Sequence, residues 1–473
     1  MILSYKQTLQ IFSICFLLCG CQSYKTYQKM SVNNFYANLI EIQLTNDLKG
    51  HFIHTSDSFS PDNNWIVYDT RNDDTHIANT GSIEIININT LKTRQLYNTV
   101  NQTKYGPGVG AVSFNPKEDK VVFIHGLLNC NETNPYSFSR RSAVSILIEK
   151  PQEPLFLDAR NISPPFTAGA LRGGTHAHSW SPDGTWVSFT YNDEIISRLS
   201  LNSNEHLRDL RMVGVMAPLG PINVELEDEG ENVYGEMFSV IVTEVHDSPI
   251  FGSNQIDRAY GDGWVGNNGY VKANGQIQKR AVAFLGDTKD KNGNKLTELF
   301  IVDIPDNISK SKSQEPIEGT DRTRPNPPLH TKQRRLTFTA ERKFPGIIWL
   351  GNPIRTNSEG TLLFVIMKDD EGIAQIYSVS SNDGSINKLT ENKESIDTSF
   401  DISPDGRYLV YGVSESVYIT DILKSETFKV KSKNKKGEQG LRAIQWSNDG
   451  KTIAYNRRVS KKNHDYFQLF ILK

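Results

Sequence analysis

Ser60-Pro61-Asp62-Asn63, Ser181-Pro182-Asp183-Gly184 and Ser403-Pro404-Asp405-Gly406 are three copies of one signature, and Ser447-Asn448-Asp449-Gly450 is a degenerate fourth. Each copy follows an aromatic residue or Ile (Phe59, Trp180, Ile402, Trp446) and precedes a short apolar run such as Trp65-Ile66-Val67-Tyr68 or Tyr408-Leu409-Val410-Tyr411. Proline presets φ for a turn and Gly or Asn supplies a positive φ, so the signature reads as a tight turn between two strands. A strand–turn–strand unit that recurs at this interval marks an all-β chain folded as a single β-propeller.

Working outward from the turns, the apolar runs give seven blades, with six or eight as the alternatives because the second and fourth are weakly marked. The first covers about residues 54–96, the second starts near 110 and the third at Thr175. The fourth takes 237–242, 281–285, 299–302 and 335–338, the fifth 346–390, the sixth 395–431, and the seventh starts near 442. The chain stops at what reads as the third strand of the last blade, Phe470-Ile471-Leu472-Lys473, and Ile40-Glu41-Ile42-Gln43-Leu44-Thr45 is expected to supply the fourth. That N-terminal strand closes the ring and removes an exposed edge. The propeller is expected over residues 37–473, with excursions at 248–280, rich in Gly and Asn, and at 305–333, rich in Pro.

The first twenty residues read as a lipoprotein signal peptide. An apolar core, residues 11–18, is too short to span a bilayer and ends in Leu18-Cys19-Gly20-Cys21, a lipobox-like string that makes Cys21 the lipidation site. Residues 21–36 then form the lipidated Cys and a polar tether. Diacylation gives a stable anchor. The expected location is the bacterial cell envelope, at the outer membrane since Gln22 is not Asp, with the membrane as one partner. Only Cys130 of the four cysteines lies in the folded part, so no intrachain disulfide forms there. A formal net charge of −2 gives no sign of a nucleic-acid partner.

The chemistry-bearing string is Gly173-Gly174-Thr175-His176-Ala177-His178. On a regular strand, positions i and i+2 face one side, so His176 and His178 are expected to project together. Such a pair can share a divalent metal (Mn, Zn or Ca) or bind a ligand at the channel mouth, with the glycines letting a ligand approach the backbone. The alternative is that both rings pack between blades. His54 starts blade one at the equivalent place and points at the same mouth, and it, Asp57 or His246 is a candidate third metal ligand, whereas His51, His125 and His246 taken singly read as structural. Tyr260 and Trp264, aromatic among glycines, are expected to roof the same mouth and bind ligand. Residues 287–294 fail the calcium-loop register, and no Gly-x-Ser-x-Gly elbow, P-loop or paired CxxC is present.

Strings across most of residues 40–400 resemble the YidR-like bacterial family of TolB-type propellers. They include Phe123-Ile124-His125-Gly126, Arg140-Arg141, Leu171-Arg172 with the string above, Ala217-Pro218-Leu219-Gly220-Pro221, Arg258-Ala259-Tyr260 and Gly263-Trp264-Val265-Gly266-Asn267. That resemblance implies a fold rather than an activity. At the level of fold the chain is also similar to oligogalacturonate lyases, whose histidines hold a divalent metal at the channel mouth, and His176-x-His178 matches part of such a site. Two functions follow. The first is a membrane-anchored propeller that binds an oligosaccharide or an envelope protein at the channel mouth, without catalysis. The second is a metal-dependent polysaccharide lyase acting on acidic oligosaccharides.

Overall fold

The computed structural model describes Tyr36 and residues 39–473, apart from 74, 203–206, 227–229 and 431–437. Residues 1–35, where the sequence predicts a signal peptide, the lipidated Cys21 and most of the tether, lie outside the described residues. Seven antiparallel sheets form the ring of a β-propeller, six of four strands and one of three.

Blade one contains Trp65–Asp69, Ser82–Asn87 and Thr93–Asn98; its channel edge is irregular and pairs only through Phe52 with Asp69 and Phe59 with Ile66. Blade two starts with Val109–Phe114, blade three with Gly173–Trp180, blade four with Arg258–Trp264, blade five with Arg355–Thr356, blade six with Phe400–Ile402 and blade seven with Glu438–Trp446. Each blade starts at the channel and steps outward, so the ring has an upper mouth where these first strands begin and a lower mouth where their turns sit. Glu41–Gln43 pairs with His464–Leu472 and becomes the outer strand of blade seven, which closes the ring as expected.

The recurring turn works through its side chains. In each copy the Ser hydroxyl donates to the Asp carboxylate two residues on, as Ser181 Oγ does to Asp183 at 2.5 Å. The same Ser oxygen accepts the N–H five residues on, Trp186 N at 2.9 Å, and the Asp accepts the N–H of Thr185 at 3.0 Å. Asn63, Gly184, Gly406 and Gly450 take the positive φ. Blade five does the same work with Asn357, whose Oδ1 accepts Leu362 N at 2.9 Å. Apolar faces of adjacent blades then interdigitate, for example Val213, Val215 and Val240 of blade three with Val282, Phe284 and Phe300 of blade four.

Two boundaries differ from the sequence reading. Phe238–Ile241, read as the start of blade four, is the outer strand of blade three and pairs with Met212–Ala217. The helix Glu194–Asn202 separates Met212–Ala217 from Val187–Asp193, and a long loop separates Met212–Ala217 from Phe238–Ile241, which hides the relation. Residues 258–264, read as part of an excursion, form the first strand of blade four. A strand facing a polar channel alternates Arg, Tyr, Asp and Gly rather than apolar residues, so it lacks the usual period-two signal. The Pro-rich stretch after 305 carries no named strand until Lys332–Arg335, but Ile308 and Ile317 are buried against blades three and four.

One irregularity shapes the channel. The first strands of blades two, three, four and seven each carry a bulge in their pairing with the second strand. Ala111, Ala177, Gly261 and Ala443 sit there with φ of 55°, 55°, 66° and 53°.

Candidate functional site at the upper mouth

The bulge at Ala177 breaks the strand alternation that was expected to bring His176 and His178 to one face. His178 is fully buried and turns back into the blade. Its Nε2 donates to Thr175 Oγ1 at 3.0 Å, and that hydroxyl donates to Asp158 Oδ2 at 3.0 Å. Asp158 also accepts Ala143 N at 2.7 Å, and burial pushes its carboxyl up to about 7. His176 has no hydrogen-bond partner at either nitrogen, although it is only 8% exposed. Its ring lies 6.3 Å from Phe138.

His54, on the irregular edge of blade one, belongs to the same neighbourhood. Its Nδ1 is 3.4 Å from Ser113 Oγ, and burial, then the charges of Arg71 and Arg355, pushes its pKa down to about 3. Burial holds His176 and His178 well below the usual histidine range, with Arg141 adding to both and His54 adding to His178. All three rings are therefore neutral at physiological pH.

The charge around His176 comes from residues that the sequence reading did not single out as a site. Arg141 starts the third strand of blade two, Arg211 precedes the third strand of blade three, and Arg258 starts blade four, so all three side chains begin at the upper mouth. Each lowers the pKa of His176. Burial, then Arg258 and Arg141, pushes Arg211 down to about 10. Arg141 is 2% exposed and leaves Nε and Nη2 without acceptors; only Nη1 is used, donating to the Tyr136 hydroxyl at 2.8 Å. Among the described residues no carboxylate lies within ion-pair distance of any of the three arginines. Arg211 and Arg258 line a cavity of about 310 Å³ between blades three and four. Its acidic residues are engaged elsewhere: Asp287 with Lys295 at 2.8 Å, Asp257 with Arg208 at 3.2 Å, and Asp209 with the Asn192 amide at 2.9 Å.

Aromatic rings flank the cluster. Phe138, 59% exposed, lies under Arg141 at 4.8 Å and Arg211 at 5.5 Å. On the other side Arg258 lies 4.6 Å over Tyr260, which meets the 42% exposed Trp349 edge-on at 5.2 Å. Tyr260 itself is buried in the seam between blades four and five, with its hydroxyl donating to Asp287 at 3.2 Å, and does not roof the mouth. Trp264 lies at the other end of the same strand, lining a lower-mouth cavity and donating to Ser179 O at 3.0 Å. The exposed platforms are thus Phe138 and Trp349. Gly173 and Gly174 do not open the backbone to a ligand. A Cβ on Gly173 would strike the Asn192 carbonyl, and one on Gly174 would strike the Phe138 carbonyl, so both glycines are needed for blade packing.

A divalent metal does not fit this arrangement. Among the described residues no three His, Cys, Asp or Glu side chains converge on one point. A cation beside His176 would face three guanidinium groups, with no carboxylate of a described residue in ion-pair distance of any of them. The donor set suits an anion instead.

Residues 108–231 match the family described as "Protein of unknown function (DUF3748)". The chain is 35% identical over 416 residues to the "Uncharacterized protein YidR" of Escherichia coli (strain K12), covering 87% of this chain and 94% of that protein. Among solved structures it is similar to an oligogalacturonate lyase in complex with manganese, with a TM-score of 0.50, 11% identity and 92% of each chain covered. The oligogalacturonate lyase of Vibrio parahaemolyticus gives a TM-score of 0.50 at 9% identity over 92% of this chain and 93% of that one. At such identities the likeness shows the propeller fold alone.

Proposed function

The chain belongs to the YidR family, and from that premise we propose that it is a lipid-anchored binding propeller of the bacterial cell envelope whose upper mouth captures an anionic ligand. One observation carries the reading: three guanidinium groups, one of them 2% exposed with two donors unused, stand together without a carboxylate of any described residue in ion-pair distance. A buried guanidinium is costly unless paired, and two more beside it add repulsion. An oxyanion bridging Arg141, Arg211 and Arg258 would relieve both costs through charge-assisted hydrogen bonds. The exposed rings of Phe138 and Trp349 on either side favour an oxyanion carried on a sugar, as in an acidic oligosaccharide, because exposed aromatic rings suit packing against a pyranose.

The test is calorimetric titration of the full chain in detergent with a uronate oligomer. Saturable binding that weakens with salt is expected, together with a loss of at least tenfold in Arg211→Ala/Arg258→Ala. Equal binding by the double variant would refute the site. Loss of binding on chelation, or release of unsaturated product, would instead favour the metal-dependent lyase. The anchor rests on the leader ending at Cys21. Cys21→Ser is expected to shift the protein out of the detergent phase, and unchanged partitioning would refute lipidation.

A further inference from the structure

The lower mouth holds a second cavity of about 220 Å³, lined among others by Asp57, Trp180, Trp264, Arg355, Asp401 and Trp446. The Thr55 hydroxyl donates across the ring to Gly351 O at 2.9 Å, and Arg355 Nη2 donates to Thr55 O at 2.6 Å, so segments of blades one and five meet inside the channel. The cavity lies on the opposite face from the arginine cluster.

Two carboxylates line it, and they differ. Asp401 is fully engaged: Oδ1 lies 2.9 Å from Arg355 Nε and Oδ2 accepts Trp446 N at 2.9 Å. The Asp57 carboxylate accepts no hydrogen bond from any described residue. Only Arg355, already committed to Asp401 and Thr55, offsets its charge, while Asp401 opposes it. Its backbone is held at φ 45°, a conformation that costs a non-glycine residue energy and that clusters at binding sites. Beside it are the partly exposed Trp264 and the indoles of Trp180 and Trp446, which are 5% and 6% exposed with unpartnered N–H groups. With Asp57 and Asp401 ionised against one guanidinium, the pocket carries one uncompensated negative charge next to aromatic walls.

We propose that this pocket is a second binding site, one that takes the ammonium or guanidinium head of an organic cation, with Asp57 as its counter-charge and Trp264 as its aromatic wall. Such a head supplies the donors that Asp57 lacks and gains cation–π attraction from the indole. The head can belong to a free amine or to a basic side chain of a peptide, and two probes separate these sources.

The full chain in detergent is titrated with butylammonium and with Nα-acetyl-lysine amide at constant ionic strength, with tryptophan emission as the readout. A saturable change is expected at pH 8 for at least one probe. Response to butylammonium alone assigns the site to free amines, and response to the lysine amide alone assigns it to peptides. Burial pushes the Asp57 carboxyl up to about 6, so binding is expected to weaken about tenfold between pH 8 and pH 5 as Asp57 protonates. Burial raises the Asp401 carboxyl as well, against the charge of Arg355 2.9 Å away, so its protonation would act in the same direction, and His54 stays neutral. Asp57→Asn is expected to weaken binding at least tenfold with an unchanged or higher Tm, while Arg211→Ala/Arg258→Ala leaves it intact. Failure at this pocket is thus separable from failure at the upper mouth. No saturable response to either probe, pH-independent binding, or binding by Asp57→Asn within twofold of the parent would overturn the proposal. An Asp57→Asn chain that fails to fold would overturn it as well, because the carboxylate would then be holding the structure.

Discussion

His176 and His178 are separated by one residue and share no hydrogen-bond partner. His178 is fully buried and carries the Thr175–Asp158 hydrogen-bond chain, whereas His176 bonds to nothing. Removing each ring should therefore have different consequences. His178→Ala empties a packed site and strips Thr175 of its donor, at an expected cost of about 2–4 kcal/mol. His176→Ala removes two unsatisfied nitrogens along with the ring, so about 0–1 kcal/mol is expected. Urea unfolding at pH 7.5 checks both, and equal losses would contradict the contacts. The pH dependence has a definite sign. Burial holds His178 neutral well below its unfolded value of about 6.5. Its contribution is present above that value and is lost as pH falls below it, because the unfolded chain takes up the proton first. The gap between parent and His178→Ala should therefore narrow as pH is lowered from 7.5 to 5.

At the scale of the element, the turns were legible because their chemistry is local: Ser, Asp and a Gly or Asn at fixed offsets close the same hydrogen bonds in every copy. The first strands were not, because their shape depends on the bulge. Its trace was present in the sequence as a small residue three positions before an aromatic: Ala111 before Phe114, Ala177 before Trp180, Gly261 before Trp264 and Ala443 before Trp446. The shared-face argument for the histidines failed at this point. The arginine cluster was illegible for another reason. Arg141, Arg211 and Arg258 are far apart in the chain and meet only where three blades start, although Arg141 and Arg258 stood in the family strings. The bulge itself can be tested. Ala177 pays the left-handed penalty of roughly 1–2 kcal/mol that glycine avoids. Ala177→Gly should gain about 0.5–1 kcal/mol, the remainder being offset by the freer unfolded chain. Ala177→Val should lose more than about 1 kcal/mol, since a branched Cβ is worse there. Thermal unfolding that ranks Val above Gly would show that the bulge stores no strain.

For the molecule as a whole, stability rests on ring closure, and closure rests on the short strand Glu41–Gln43 and its neighbours meeting the other end of the chain. Ile40 and Lys473 exchange backbone hydrogen bonds at 2.9 and 3.1 Å, and Leu469 N donates to Thr45 Oγ1 at 2.9 Å. Tyr36 stacks edge-on against Tyr408 and Trp446, at 5.0 and 5.7 Å, so the N-terminal segment also touches blade six. The ionic part is concentrated in Glu41. Its carboxylate accepts from the Tyr455 hydroxyl and from Arg457 Nε at 3.1 Å, and Arg457 is fully buried. Removing one partner of a buried pair leaves the other charge uncompensated, which costs about 3–5 kcal/mol. Glu415, 3.9 Å from Arg457, can recover part of that, so Glu41→Ala is expected at the low end of the range. Glu41→Gln keeps an acceptor and should lose less. Deleting 37–46 removes the whole outer strand and bares the edge of His464–Leu472, whose last six residues are buried. That deletion should lower the Tm more than Glu41→Ala and promote aggregation, because an uncovered strand edge recruits other chains. Deleting 22–34 should leave the Tm unchanged. The decisive comparison is calorimetric, on the full chain and the two deletions side by side: if both lower the Tm equally, the ring is not held by its N-terminal strand.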